Sequence, residues 1–222
     1  MSGVAEIGAA MLGVSQRRLE VVSQNIANVH TPGFQATESV IPPLSSSHQL
    51  LNNIFHQDVT REFLELRSSD REGDLTVTGR DLDLAISGEG YFRVRHNESG
   101  TITHTRDGHF MRDSNGFIID GDGRFLQNVD GRNLRINAPD VMIRTDGTVF
   151  ENDRPVDRVA IFSKILQQDK ALDVPFQLLA PGDEFQVRQG MIEASNVVMA
   201  DQMITMMEAV RQAEIGSRVL QT

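Results

Sequence analysis

The stretch Asp120-Gly121-Asp122-Gly123-Arg124 sets two carboxylates two residues apart in a glycine-rich loop, the way a calcium loop begins. The pattern then fails. Arg124 stands where a further oxygen ligand is needed, and Phe125 replaces the turn glycine, so a hairpin turn accounts for these residues. Gly88-Glu89-Gly90 opens like a dinucleotide loop, but Arg93 occupies the third glycine position and a strand pattern follows instead of a helix. His104 and His109 lie five apart without the glutamate that metalloprotease spacing requires, and read as surface or strand histidines. No G-x-S-x-G elbow, P-loop or S-x-x-K motif occurs. The absence of cysteine removes disulfides, thiolate metal sites and cysteine nucleophiles together. With 31 Asp and Glu in 222 residues, acidic pairs arise by chance and read as solvated faces. The chemistry-bearing residues therefore point to no catalytic centre, no cofactor and no metal.

What remains is the scaffold. A formal net charge of -10 argues against nucleic acid and anionic membranes as partners, because phosphate neutralisation needs clustered Lys and Arg. An apolar share of 39%, one Tyr and no Trp allow a core, though not a rich one. The first residues lack a basic segment followed by a continuous apolar one, and no run approaches the ~18 apolar residues of a membrane span. A chain exported from the cytoplasm would then travel without a cleaved signal peptide.

Four segments follow from periodicity. Residues 1–34 read as a helix and a corner: Val4, Ile7, Met11, Val14 and Val21 share one face, Leu12, Leu19 and Ile26 form a second stripe, and Thr31-Pro32-Gly33 ends the run. Residues 35–73 lose clear period and read as an extended connector, with Ile41 to Asn53 a loop holding at most a short helical piece. Residues 74–189 read as an antiparallel β domain. Leu82, Leu84 and Ile86 alternate with polar or small residues, as do Phe92 and Val94. Asp107-Gly108, Asn115-Gly116, Asp122-Gly123, Asp130-Gly131 and Asp146-Gly147 mark tight turns. Residues 190–222 read as a second helix capped near Ser195 or Asn196.

In that last helix Met199, Met203, Met206, Val210, Ala213 and Leu220 form a heptad-like seam, with Val197, Ile204 and Ile215 on nearly the opposite side at ~100° per residue. The expected fold class is α+β, the terminal helices paired as an antiparallel coiled coil on a central antiparallel β domain. A pair of helices buries one stripe each, so the second stripes are expected to meet neighbouring copies. The competing reading is a soluble β-domain enzyme or binding module whose terminal helices pack on it.

Three separated segments resemble one family. Leu19 to Phe34, with Asn25, Asn28, Thr31, Gly33 and Phe34, is similar to the N-terminal signature of bacterial flagellar basal-body rod and hook proteins. Thr78 to Val94 and Thr105 to Phe110 resemble the family's central segment. Gly190 to Thr222 resembles its C-terminal signature, with Glu193, Ser195, Asn196, Val197, Met206, Glu208, Arg211 and Glu214 in place. The aromatic residue that usually precedes the late glutamate is absent, since Ala213 stands before Glu214. The centre between Arg95 and Gln189 lacks the large insertion of hook proteins, which favours a rod protein, and the proximal over the distal subunit.

The resemblance implies an axial structural subunit, secreted unfolded through the flagellar type III export apparatus. It would polymerise with copies of itself and other rod proteins, inside the basal-body rings of the periplasm, into a hollow shaft that transmits torque. The implied assembly surface comprises Leu12, Leu19, Asn25, Ile26, Asn28, Thr31, Gly33, Phe34, Asn196, Val197, Met199, Met203, Ile204, Met206, Val210, Arg211 and Ile215.

Overall fold

The first proline of the chain is Pro32, so nothing interrupts helix α1, which runs Ser2–Ala27. Its last turn is tied off by Asn28, whose backbone N–H is shared between the carbonyls of Gln24 and Asn25 and whose Nδ2 donates to Gln24 O at 2.8 Å. The computed structural model of the chain describes residues 2–40, 65–164, 176–180 and 185–220. It divides into two compact units, one of Met1–Val29, Gln35–Asp70 and Val197–Thr222, the other of His30–Phe34 and Arg71–Asn196.

In the first unit α1 packs against the C-terminal helix α2, Met199–Leu220, which begins a few residues later than the capping residues suggested. The two run antiparallel. Asn25 Nδ2 donates to Gln202 Oε1 at 3.0 Å and Arg18 Nη1 to Gln212 Oε1 at 3.1 Å, while Gly8 stands beside Gly216. The expected methionine seam is corrected here. The face that meets α1 carries small residues, with Ala209 and Gly216 buried, while Met203, Met206, Val210 and Leu220 are exposed. Geometry explains the choice: a Cβ on Gly216 would stand 3.2 Å from Gly8 O and 3.3 Å from Leu12 Cγ. Backbones can approach this closely only where side chains are absent or short, which displaces the long methionines to the outer face. Val197 and Leu12, assigned by period to the outer stripes, are respectively buried and half-buried instead.

Two short strands also belong to this unit, β1 (Thr37–Val40) paired antiparallel with β2 (Glu65–Ser68), Thr37 opposite Ser68. They lie within the stretch expected to be a connector. The expected loop at Ile41 to Asn53 lies outside the described residues. Asn25 holds β1 as a neighbouring strand would: its Nδ2 donates to Thr37 O and its Oδ1 accepts the Thr37 N–H, both at 2.9 Å.

The second unit is antiparallel β. Its strands are β3 (Leu75–Val77), β4 (Leu84–Gly88), β5 (Tyr91–Arg95), β6 (Ile102–Thr105), β7 (Met111–Arg112), β8 (Ile118–Ile119) and β9 (Phe125–Leu126). They continue with β10 (Val141–Ile143), β11 (Thr148–Glu151), β12 (Arg154–Arg158), β13 (Ile161–Lys164), β14 (Phe176–Leu178), β15 (Phe185–Gln189) and β16 (Met191–Glu193). The main sheet has the order β14-β13-β5-β9-β8-β7, with β6 also on β5; β10-β11-β12 form a second, and β15-β4 and β16-β3 are pairs. Phe92, Phe110, Leu84, Ile86 and Leu126 fill the core, Phe92 and Phe110 edge to face with centroids 5.2 Å apart. Each such side chain contributes roughly 1.5–3 kcal/mol by leaving water. In β4 the expected alternation gives way to continuous burial of Leu84, Ala85 and Ile86, because structure covers both of its faces.

The tight turns use side chains as much as glycines. Asp113, Asp120 and Asn128 each accept two backbone N–H groups through Oδ1, from residues two and four further on. Buried Asp120 also takes Arg124 Nε at 2.6 Å on its other oxygen. The reading of this loop as a turn agrees with that geometry, and loss of Asp120 would strip three hydrogen bonds from it.

Candidate functional site

The central segment and the C-terminal signature share a buried ion pair in the second unit. Arg106, following β6, places Nη1 3.1 Å from Glu193 Oε2 at the end of β16, with both side chains almost fully buried. The other Glu193 oxygen accepts the Gly73 N–H at 2.9 Å, and Arg106 Nη2 donates to Gly88 O at 2.7 Å. The guanidinium carbon stands 5.4 Å from the centroid of Tyr91. Burial pushes the Glu193 carboxyl up; the Gly73 amide and the Arg106 charge pull it back towards the ionised form. Arg106 Nε is buried without an acceptor among the described residues, so the pair is not completely satisfied.

Three chain segments close around this pair by backbone contact. Gly33 N–H donates to Glu193 O at 2.8 Å, Ala194 N–H to Asp74 O at 2.8 Å, and Asn196 N–H to Phe34 O at 3.2 Å. The Asn196 side chain donates to Arg71 O at 2.7 Å instead of serving only the helix that follows. Gly33 has a φ of 63°, and a Cβ there would fall 2.1 Å from Asp107 N. The Thr31-Pro32-Gly33-Phe34 corner thus needs glycine twice over, for its left-handed backbone and for contact with the strand end behind it.

Of the residues expected at an assembly surface, the structure gathers Gly33, Phe34 and Asn196 at this clasp and gives Asn25 the structural role described above. Ile26 and Leu19 are half-buried on α1, Asn28 closes its last turn, and Thr31 is exposed with its carbonyl accepting the Phe34 N–H. Met199 is half-buried. Met203, Ile204, Met206, Val210, Arg211 and Ile215 are exposed on α2, Met203 at 54% and Ile204 at 53%. Met207 joins them at 56%. This outer face carries exposed Met, Ile and Val side chains interspersed with charged Glu208, Arg211 and Glu214, and exposed apolar side chains of this kind suit packing against another protein.

Sequence reasoning missed Arg106 as Glu193's partner, and it missed Gly8, Ala209 and Gly216 as the helix contact. The first had no local signal, since 87 residues separate the pair. The second did have one, because Thr205, Ala209, Gln212 and Gly216 repeat at spacings of four, three and four.

Known proteins match this arrangement in chain order. The profile described as "Flagella basal body rod protein" covers residues 14–35, "Flagellar hook protein FlgE/F/G D1 domain" covers 85–151, and "Flagellar basal body rod FlgEFG protein C-terminal" covers 188–222. Curated relatives extend over nearly the whole chain. The flagellar basal-body rod protein FlgG of Bacillus subtilis is 28% identical, with 93% of this chain and 89% of the relative covered. FlgF of Caulobacter vibrioides is 27% identical, with coverage of 99% and 93%. FlgG of Buchnera aphidicola subsp. Baizongia pistaciae is 25% identical, with coverage of 95% and 92%. The matched segments include the Thr31–Phe34 corner, Arg106 and Glu193–Asn196, the residues that meet at the clasp, and along nearly its whole length the chain is similar to flagellar basal-body rod proteins.

Proposed function

We propose that this chain is a structural subunit of the bacterial flagellar basal-body rod, polymerising into a hollow helical shaft that transmits torque and encloses the export channel. The observation that carries the reading is the ordered match of both ends to rod-protein profiles and of the centre to a hook-protein FlgE/F/G profile, together with rod relatives matched along almost their full length. The apolar side chains exposed on the outer side of α2, Met203, Ile204, Met206, Met207, Val210 and Ile215, support it, since a helix paired on one side that still exposes them is suited to a second contact. Head-to-tail contacts that do not close a ring generate open helical assemblies of this kind.

On this reading α1 and α2 form the coiled-coil inner layer of the shaft, and copies of the chain with other rod proteins are its neighbours. The type III export apparatus delivers the chain, and the assembled rod lies in the periplasmic space within the basal-body rings. The compact centre between Arg95 and Gln189 favours a proximal tier. The subunit acts through its contacts and not as an enzyme.

Ile204→Asp tests the outer face, because an unpaired carboxylate in a dry contact costs several kcal/mol per copy. Expression, export and melting of the β unit should match the parent protein, while the variant fails to enter the rod and cells lack complete flagella. Normal flagella with this variant would place Ile204 in solvent and remove the outer face from the assembly surface.

A further inference from the structure

The chain contains no cysteine, so its thioethers are the sulfur atoms on which an oxidant can act. Three of its methionines, Met203, Met206 and Met207, fall within five residues of α2. At ~100° per residue they share one sector of the helix with Val210, turned away from Ala209 and Gly216, the buried residues that meet α1. Their exposure agrees with that placement. Met206 is 45% exposed and Met203 and Met207 exceed half, whereas Met11, Met191 and Met199 are half-buried. Met111 and Met142 are also exposed, on β7 and β10 of the second unit.

A peroxide converts a thioether to a sulfoxide in a balanced two-electron step. The sulfur lone pair attacks one oxygen of hydrogen peroxide, the O–O bond breaks and an S–O bond forms. The second oxygen leaves as water once it has taken up the proton carried by the first. Sulfur is oxidised and peroxide reduced. An apolar, flexible side chain thereby becomes a polar one, which disrupts methionine-rich contacts. Each sulfoxide pressed into a dry contact without a donor is an unsatisfied polar group. Because small residues on the other side of α2 make the contact with α1, the change spares the helix pair.

We propose that Met203, Met206 and Met207 form an oxidation site that controls assembly: peroxide converts them to sulfoxides in the free chain and blocks the contact made by the outer side of α2. Methionine sulfoxide reductases would restore it. The proposal rests on the reading of that side of α2 as an assembly surface. In the assembled rod the same contact covers the sulfurs, so the sensitive state is the unassembled chain.

Brief treatment of the purified full-length protein with hydrogen peroxide, followed by peptide mass mapping, tests the site itself. Met203, Met206 and Met207 should each gain one oxygen about as fast as Met142 and at least ~3-fold faster than Met11, Met191 and Met199, with the circular dichroism of the chain unchanged. The consequence is tested in cells in which the chain is newly induced, pulsed with peroxide and then quenched with catalase. Rods completed after the quench should carry these three methionines reduced, while the unassembled chain from the same cells carries them as sulfoxides. With all three replaced by leucine, the drop in rod incorporation caused by the pulse, measured against the same variant without it, should disappear. Equal oxidation of the exposed and half-buried methionines, sulfoxides at these positions as frequent in the new rods as in the unassembled chain, or a leucine variant that loses as much incorporation as the parent would each overturn the proposal and leave the rod reading standing. A chain absent from the rods with or without peroxide would remove the rod reading, and this proposal with it.

Discussion

Replacing Glu193 with alanine tests whether the Arg106–Glu193 pair holds the clasp together. The carboxylate takes two hydrogen bonds, from Arg106 at 3.1 Å and from the Gly73 amide at 2.9 Å. Its removal leaves a guanidinium whose side chain is 4% exposed, with Gly88 O as its hydrogen-bond acceptor and Tyr91 as its aromatic neighbour. Breaking a buried pair from one side costs about 3–5 kcal/mol, a large part of the 5–15 kcal/mol that stabilises a typical domain. Removing both charges should be gentler. Arg106→Met with Glu193→Met keeps most of the volume and removes the stranded charge along with the unsatisfied Nε, so a loss of ~1–2 kcal/mol is expected, less than either single substitution. Urea unfolding can be followed by tyrosine emission, because the chain has one tyrosine and no tryptophan and Tyr91 lies beside Arg106. A shift below ~1 kcal/mol for Glu193→Ala, or a double variant as damaged as the sum of the two singles, would refute the account of the clasp.

Gly33→Ala should destabilise the second unit by several kcal/mol, combining a left-handed φ with a Cβ 2.1 Å from Asp107 N; a unit that melts at the parent's temperature would contradict this. His104 should make stability depend on acid. Burial first, and the Arg93 charge second, lower its pKa from 6.5 to about 4, so its stabilising contribution is complete above pH 6.5 and lost as pH falls from 6.5 towards 4. Allowing for partial solvent screening, the loss is roughly 1–2 kcal/mol. His104→Phe, which can join the stack with Phe176 and Phe162 and removes a buried, unpartnered Nε2, should flatten the melting profile over that range; an unchanged pH slope would count against the assignment.

Local rules read the elements well and their partners poorly. Both terminal helices, the antiparallel β centre and the turn at Asp120 to Arg124 were legible because each depends on a few neighbouring residues: an uninterrupted helical period, an apolar alternation, an Asx-Gly turn. The side of α2 that meets α1 was not legible from hydrophobicity, because Ala209 and Gly216 win by permitting close approach while methionines score higher on any apolar scale. Asn25 was visible as part of a signature but not as the cap of β1, since its partner Thr37 belongs to a stretch without clear period. The clasp was hidden for a similar reason. Arg106 and Glu193 are unremarkable apart, and only the pairing of β16 with β3 and the corner at Gly33 bring them to one place.

The most direct test of the central claim is to purify basal bodies from cells making this chain and trace it in the rod by electron cryo-microscopy. The rod reading predicts density for residues 2–27 and 199–220 as paired helices in the inner wall, with Met203, Ile204 and Met207 against a neighbouring subunit. A complete rod whose density is accounted for by other chains, with this one absent from the purified particles, would contradict it.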